Sequence, residues 1–421
     1  MIEVLIAIGC YLAFWSNAGG VSAITRPMIF VFLFLACAVA VGTGRVRRVG
    51  TTPLELLLYS IAILSAVVSL ARSEDYCIYY TMYYVVTIVF ASVLARTVSL
   101  PRLMDLGAYI TLLCVVTALA VDRNGFLAAL QVSIGVNGLE RFSPLNNHPL
   151  LVGYVFGSGS LLLARRVYLA RNALERVLMA GGMLLCWSIL LAASSRSAII
   201  ALGVAVIFAL LFEFRVLRGL TFARFAAGVA VLAIIAIICF GPASDYLTRI
   251  LELDSSYRGF GSGATGRTVL WAKGLESLTS DPTLIAFGGG LRSSEYSVIG
   301  FLTENSYISI LLDSGIFFGA ALILYILYVP LRALALRRQA ASVEAGSERS
   351  LALYAAYFVF LLIQCFFLRY FVGIGNPTSL LTLLFMMSLS LYPGFQAAPE
   401  RQTRPGVARS KLPSGLARAK P

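Results

Sequence analysis

Two charged side chains in this sequence suit chemistry on an anionic substrate. Arg196 lies in a short polar turn between two apolar runs, and Arg267 opens a stretch with helical periodicity. An arginine donates two parallel hydrogen bonds and stays charged at any working pH, which suits a diphosphate. Taken singly, Arg196 is explained as an arginine that reaches the membrane interface, and Arg267 as a surface arginine. Facing one cavity, the two would form an anion site.

A third charged residue, Glu304, precedes an apolar run that starts at Ile308. We predict that Glu304 acts as a general base and that its neighbours Asn305 and Tyr307 contact the substrate. The alternative is a capping acid, because the free amides at a helix N-terminus favour negative charge. Asp313 lies about two and a half turns further along. Pairing with a neighbouring span is the expected reason for an acid at that depth.

Few residues suit a metal or another cofactor. His148 is the only histidine, and all seven cysteines fall inside apolar runs, so we expect neither a zinc site nor a disulfide. The run Gly288–Gly290 lacks the Lys-Ser/Thr pair of a P-loop, but its amides could bind an anion. We therefore assign Gly289, Arg292 and His148 to substrate binding. The alternative for His148 is a polar residue at a span end. No cofactor is expected.

The composition indicates an all-α polytopic membrane protein. Hydrophobic residues make up 59% of the 421 positions and charged residues 13%, and the mean hydropathy is +0.87. A membrane-spanning helix needs about 20 mainly apolar residues. We predict twelve spans, the first of them a retained span rather than a cleaved signal peptide. They cover approximately 2–17, 27–43, 54–71, 77–95, 105–121, 146–164, 177–193, 198–213, 225–243, 305–331, 350–371 and 378–394.

The basic residues set the predicted orientation. The net charge is +13, but 22 of the 33 Lys and Arg fall in every second loop and in the tail. This pattern follows the positive-inside rule rather than a nucleic-acid-binding surface, and it predicts that both termini are cytoplasmic. The long polar interval 244–304 is then a periplasmic loop. We expect one membrane domain over 1–395 and a disordered basic cytoplasmic tail over 396–421.

Within the periplasmic loop, Thr268–Ser280 has the pattern of an amphipathic helix. Its apolar face carries Leu270, Trp271, Leu275 and Leu278. We expect this helix to lie on the bilayer and, between glycine-rich flexible turns, to act as a lid. No internal repeat is evident, which weakens a transporter interpretation, since related halves are common in that class.

The order of these elements resembles the O-antigen ligase and polysaccharide polymerase superfamily, the Wzy/WaaL group. Ser195-Arg196 before an apolar run is similar to the family's arginine at the start of a span. Arg267 with Trp271, followed by a Pro and by Gly288–Gly290, is similar to the pattern of its large periplasmic loop. The resemblance covers roughly 146–319 in motifs and the whole chain in topology.

Glu304-Asn305, with nine residues before Gly315, resembles the family's His-Asn, nine-residue gap, Gly pattern. Two positions depart from it. Glu304 stands where ligases of the family have histidine, and the next glycine, Gly319, follows Gly315 by four residues rather than three. The missing histidine favours a polymerase over a ligase.

The resemblance implies a glycosyltransferase of type C fold that inverts configuration and uses neither metal nor nucleotide sugar. It predicts a polysaccharide polymerase in the bacterial inner membrane with a periplasmic active site. The donor would be an undecaprenyl-diphosphate-linked glycan and the acceptor a lipid-linked repeat unit. Membrane lipids and a chain-length regulator are the further expected partners. Two alternatives stay open: a glycan ligase with a lipid A core or other acceptor, and a transporter or flippase of lipid-linked glycans.

Overall fold

The computed structural model describes residues 1–16, 22–134, 141–213, 267–298, 300, 303–340, 347–369 and 379–396. These residues form α-helices joined by loops, with a 3₁₀ turn at Pro144–Asn146, a π-helical turn at Ser294–Val298, and no strand. The α-helices are α1 Ile2–Trp15, α2 Ser22–Gly42, α3 Pro53–Ala71, α4 Asp75–Ala95, α5 Leu100–Val121, α6 Arg123–Ile134, α7 Pro149–Leu169, α8 Ala173–Ala192, α9 Arg196–Glu213, α10 Arg267–Ser280, α11 Pro282–Phe287, α12 Ser306–Ala340, α13 Ser347–Gln364 and α14 Leu380–Gln396.

The helices confirm the predicted all-helical membrane architecture. Seven of those described are long and apolar enough to cross a membrane, namely α2, α3, α4, α5, α7, α8 and α12. Four shorter apolar helices, α1, α9, α13 and α14, coincide with four more predicted runs. The run at 225–243, the loop interval 244–266 and the tail beyond Gln396 lie outside the described residues. The count of twelve spans and the type C fold therefore stay predictions.

α7 is the centre of the bundle. Its apolar window is 72% buried, against 44% at most for the other membrane-length helices described. It packs against α5, α8, α9 and α13. Small residues permit this approach, since a Cβ at Gly157 would lie 2.5 Å from the ring of Phe360 in α13. The N-terminus of α7, just after His148, is thereby held firmly in place.

Ion pairs neutralise the charges at one end of the bundle. Glu55 and Thr52 form a capping box at the start of α3. The guanidinium of Arg96, at the end of α4, donates to Glu55 Oε2 at 2.8 Å. In a second ion pair, Arg165 of α7 pairs with Asp105 of α5. A charge inside a span is costly unless it is paired, so these contacts explain how α3, α5 and α7 tolerate theirs.

The other end of the bundle carries the predicted functional residues. We call it the site end and define it by the loops 141–148, 193–195, 288–298, 303–305 and 365–369 together with α10. Backbone hydrogen bonds join these loops: Phe142 N donates to Ala192 O at 3.0 Å, and Ser306 N donates to Cys365 O at 2.8 Å. Segments far apart in the sequence therefore meet at one end of the molecule.

Candidate functional site

Arg267 and Glu304 form an ion pair at the site end. Arg267 is the first residue of α10, and its Nε donates to Glu304 Oε2 at 2.5 Å. Glu304 does not cap α12, because Asn305 does so: its Oδ1 accepts from Ile308 N at 3.1 Å. The capping alternative for Glu304 is therefore wrong. Its carboxylate is directed at the predicted substrate-binding arginine instead.

His148 lies within electrostatic range of this pair. Burial lowers its pKa, the charges of Arg141 and Arg267 lower it further, and the charge of Glu304 opposes them. Its Nδ1 accepts from Leu150 N at 3.3 Å, at the start of α7. A neutral imidazole that accepts at Nδ1 carries its proton on Nε2, so His148 is a hydrogen-bond donor at neutral pH.

Arg196 begins α9 at the same end of the bundle and is partly buried. A short series of contacts connects its surroundings to Glu304. Ser197 Oγ donates to Gln364 Oε1 at 3.4 Å. Gln364 precedes Cys365, whose carbonyl binds the amide of Ser306, two residues beyond Glu304. The structure thus brings the turn around Arg196 to the site end, while its joint action with Arg267 stays a prediction.

Asn305 and Tyr307, both predicted to contact substrate, have structural contacts in the fold. Asn305 is buried and caps α12 with its side chain. The hydroxyl of Tyr307 donates to Leu362 O at 2.8 Å, and its ring packs against Phe366. These side chains fix the position of Glu304 relative to the end of α13. The structure gives them a positioning role, and direct substrate contact stays a prediction.

The predicted anion nest at Gly288–Gly290 is wrong. Gly289 N donates to Leu312 O at 2.8 Å and Gly290 N to Asp313 O at 3.0 Å, and all three glycines are buried. Those carbonyls are available because α12 is broken at Gly315, where φ is 69°. Gly289 therefore packs the loop against α12, and its amide is not free for an anion. These glycines also do not form the expected flexible turn, because backbone hydrogen bonds fix Gly289 and Gly290 to α12. Their missing side chains let the two backbones approach closely.

Arg292 belongs to a second polar cluster at the site end. Its Nε and Nη2 contact Glu295 Oε2 at 2.8 and 2.6 Å, and Arg369 Nη1 contacts the same oxygen at 2.6 Å. Asp313, the acid at depth in α12, accepts from Ser294 N at 3.2 Å. Its partner is therefore this loop rather than the neighbouring span that we expected. Arg292 and the Arg267–Glu304 pair form two separate groups.

α10 forms as predicted, over Arg267–Ser280, but its buried face differs. Leu278 and Gly274 are buried and Trp271 packs beside them, whereas Leu275 is exposed. This face lies against the start of α12, at Ile308 and Leu312. The prediction failed for Leu275 because the position buried by α12 is Gly274, which lets the two helices approach closely. That α10 also lies on the bilayer stays a prediction.

Three buried polar side chains at the site end were not predicted as site residues from the sequence. Asn147 and Gln364 are fully buried, and Ser195 nearly so. Both amide atoms of Asn147, Gln364 Nε2 and Ser195 Oγ have no hydrogen-bond partner among the described residues. Leaving such a group unpaired costs about 1–3 kcal/mol. Their only signal in the sequence is adjacency: Asn147 precedes His148 and Ser195 precedes Arg196.

Left-handed backbone also concentrates at the site end. Six non-glycine residues in the described part of the chain have positive φ: Ser73, Leu145, Asn146, Ser194, Arg292 and Glu304. All but Ser73 either are predicted site residues or lie within three positions of one. Such a conformation costs on the order of 1–3 kcal/mol and persists only where its surroundings enforce it. Its concentration here supports the site end as the functional region.

No family model matches this chain, and no curated protein matches it. The class of protein is therefore defined by composition and fold. It is an all-helical, membrane-embedded protein with several membrane-length helices. At one end of its bundle, an exposed histidine lies near an arginine–glutamate pair. This arrangement can bind an anion and accept a proton from a hydroxyl.

Proposed function

We propose that this protein is a polysaccharide polymerase of the bacterial inner membrane. It would transfer a growing glycan from undecaprenyl diphosphate to the nonreducing end of another lipid-linked repeat unit. The Arg267–Glu304 ion pair carries the proposal, because it places an anion-binding group and a base 2.5 Å apart. The charge distribution supports a periplasmic location for this pair.

The pair explains how binding could prepare the base. Before substrate arrives, Arg267 and Glu304 neutralise each other. A diphosphate offers Arg267 a bidentate partner of higher charge, so the guanidinium exchanges Glu304 for the diphosphate. Arg196, at the start of α9, would bind the same group. Glu304 is then left beside the acceptor with a free carboxylate, and the neutral His148 can donate a hydrogen bond from Nε2.

The reaction is a single displacement. The acceptor hydroxyl oxygen attacks the anomeric carbon of the donor sugar while Glu304 takes its proton. The bond from the anomeric carbon to the diphosphate oxygen breaks, and its electron pair leaves on undecaprenyl diphosphate. Configuration at the anomeric carbon inverts. Arg267 and Arg196 stabilise the charge that develops on the leaving group, and loss of one such donor typically costs about 2.7–4 kcal/mol.

The test is the length of polymer made by cells that carry Arg196→Ala, Arg267→Ala or Glu304→Gln at normal protein level. Each change is expected to lower transfer roughly 10²- to 10³-fold and to leave mainly single repeat units. Arg72→Ala is the matched control, since Arg72 is an ion-paired arginine outside the proposed site, with Asp281 as its partner. If long chains persist in both arginine variants, the diphosphate clamp is wrong.

The same gels separate the alternatives. A glycan ligase would use the same clamp with another acceptor, so its loss would leave lipid A core without any glycan. A transporter or flippase would be expected to use charges near the middle of the membrane in both halves. The charged pairs Glu55–Arg96 and Asp105–Arg165 lie at helix ends. That placement suits transfer at a surface better than passage through the bundle.

A further inference from the structure

Three tyrosines stack on one another at the site end. Tyr76 and Tyr80, one turn apart at the start of α4, both lie nearly parallel to Tyr296. The ring centroids are 5.0 and 5.8 Å apart and the interplanar angles are 7° and 17°. The hydroxyls of Tyr80 and Tyr296 are 3.3 Å apart. Tyr76 is 63% exposed and Tyr296 42%, so this tyrosine platform offers ring surface to a ligand.

An arginine is fixed over the tyrosine platform. The guanidinium carbon of Arg292 lies 4.1 Å from the ring centre of Tyr80 and 5.5 Å from that of Tyr296. Glu295 holds Arg292 in place and is itself held by Arg369. Arg292 stays partly exposed. The contacts with Glu295 use only part of the hydrogen-bond donors of the Arg292 guanidinium. Ring faces and hydrogen-bond donors are therefore presented side by side in a fixed geometry.

This combination matches the chemistry of a sugar. A pyranose ring has an apolar C–H face, which packs on an aromatic ring, and a rim of hydroxyls, which bind charged and polar groups. A platform that is already ordered needs less ordering when ligand binds, so it binds more tightly. Tyrosines also anchor helices at the membrane interface. The shared Glu295 network distinguishes this group from such anchors, since lipid contact does not require it.

The tyrosine platform is connected to the Arg267–Glu304 pair. Arg369 follows Leu368, whose carbonyl accepts from Ser306 Oγ at 2.5 Å, and Ser306 is two residues beyond Glu304. Arg292, Arg369 and Ser306 line one small cavity. We propose that the platform is the acceptor subsite, on which a saccharide stacks with its reactive hydroxyl toward Glu304. This inference rests on the proposed function.

The experiment measures saccharide binding separately from catalysis. The probe is a set of oligosaccharides made by partial hydrolysis of the host's own cell-envelope polysaccharide. Binding to the purified protein in detergent is followed by saturation-transfer NMR. Tyr76→Ala and Tyr296→Ala are expected to weaken binding roughly tenfold, whereas Tyr76→Phe keeps the ring and most of the affinity. The control is Tyr79→Ala, an exposed tyrosine in the same turn of α4.

Three results would overturn the subsite. One is wild-type protein that binds none of the oligosaccharides, and a second is Tyr76→Ala protein that binds them as wild type does. The third is an equal loss in Tyr79→Ala, which would make the tyrosines interfacial anchors. Failure of the proposed function would give a different result: cells with Arg267→Ala or Glu304→Gln would keep long polymer, while the purified variants would still bind the oligosaccharides. If these two variants lose polymer but still bind the oligosaccharides, both proposals are supported.

Discussion

At the scale of single residues, the proposed function makes two demands on the carboxylate of Glu304. It pairs with Arg267 in the free protein, and on that proposal it must release this partner to act as a base. A pair suited to exchange should hold weakly, and 37% of the Glu304 side chain is exposed to solvent. Exposed ion pairs contribute about 0–1 kcal/mol to stability. The pair is thus better suited to function than to holding the fold together.

It follows that Arg267→Ala and Glu304→Gln should lose activity without unfolding. We expect each variant in detergent to unfold thermally within a few degrees of wild type, because about 1 kcal/mol is a small shift for a protein of this size. The measurement is thermal unfolding of the purified variants beside the polymer gels. A large drop in unfolding temperature would assign the lost polymer to misfolding instead.

His148 gives a pH-dependent prediction. Burial lowers its pKa below the usual 6.5, so between pH 6.5 and the lowered value the unfolded chain binds more protons than the folded one. Stability is therefore fully present above about pH 6.5 and falls as the pH drops through the folded pKa. His148→Asn keeps a capping side chain for α7 but removes this titration. The unfolding temperature of wild type should fall more between pH 7.5 and 5 than that of the variant. Parallel curves would contradict the assignment.

Residue types and order predicted part of the site. The chemistry of Arg267 and Glu304 and the residues next to them predict a site, and the structure brings the two side chains together. Asn147 and Gln364 could not be predicted as site residues. Their distinguishing feature is a buried side-chain amide atom without a hydrogen-bond partner among the described residues, and no sequence pattern reveals this. Gly289 was misassigned for a related reason: a glycine allows both a free amide nest and a packed backbone, and only the contacts decide.

At the scale of elements, the break in α12 organises the site end. At Gly315 φ is 69°, and a Cβ there would lie 2.4 Å from Ala286 O, the carbonyl oxygen just before the glycine run. On the N-terminal side of the break, the carbonyls of Leu312 and Asp313 accept hydrogen bonds from the amides of Gly289 and Gly290. The loop and the first turns of α12 therefore depend on a residue without a side chain at Gly315.

Gly315→Ala should consequently destabilise the protein and abolish polymer formation. The strained φ alone costs about 1–3 kcal/mol, and the clash with backbone adds to it. Gly181→Ala in α8 is the control, because a Cβ there meets nothing within 4 Å and the helix gains about 1 kcal/mol of propensity. Thermal unfolding of both variants checks this pair. Equal stability of the two would show that the junction tolerates a side chain.

Hydropathy predicted where helices occur better than how they end or pack. A run of apolar residues marks a helix such as α4 or α7, because its backbone must satisfy its own hydrogen bonds in lipid. The same run cannot reveal that α12 is interrupted, since both parts are apolar. In α10 the apolar pattern included Leu275, yet the helix packs through Trp271 and Leu278 around Gly274. Which positions are buried depends on the partner helix.

At the scale of the whole molecule, the described charges divide between two ends. Paired arginines such as Arg96 and Arg165 lie at one end, and the Arg267–Glu304 pair lies at the other. Charge bias in the loops predicts which end faces the cytoplasm. The architecture was accessible from composition because membrane burial leaves a strong compositional mark. The orientation of the protein in the membrane can be predicted only from that charge bias. This orientation can be measured.

Cysteine labelling in spheroplasts tests the sidedness. Thr279→Cys places a thiol on the exposed side of α10, and Thr43→Cys places one at the opposite end of the bundle. A membrane-impermeant maleimide should label position 279 and leave position 43 unlabelled, and a permeant maleimide should label both. The unaltered chain is the control, since its six described cysteines are buried. The reverse pattern would invert the topology and place the site in the cytoplasm.

The link between Gly289 and Leu312 has a mechanical consequence. The loop that carries Arg292 and Tyr296 is fastened to the first turns of α12, which begin beside Glu304. On the proposed function, the acceptor subsite and the carboxylate that deprotonates the acceptor hydroxyl belong to one rigid unit. Each new repeat unit would then meet the base in the same alignment. Any strain from admitting a bulky carrier lipid would then fall on other parts of the site end and leave the alignment of sugar and base undisturbed.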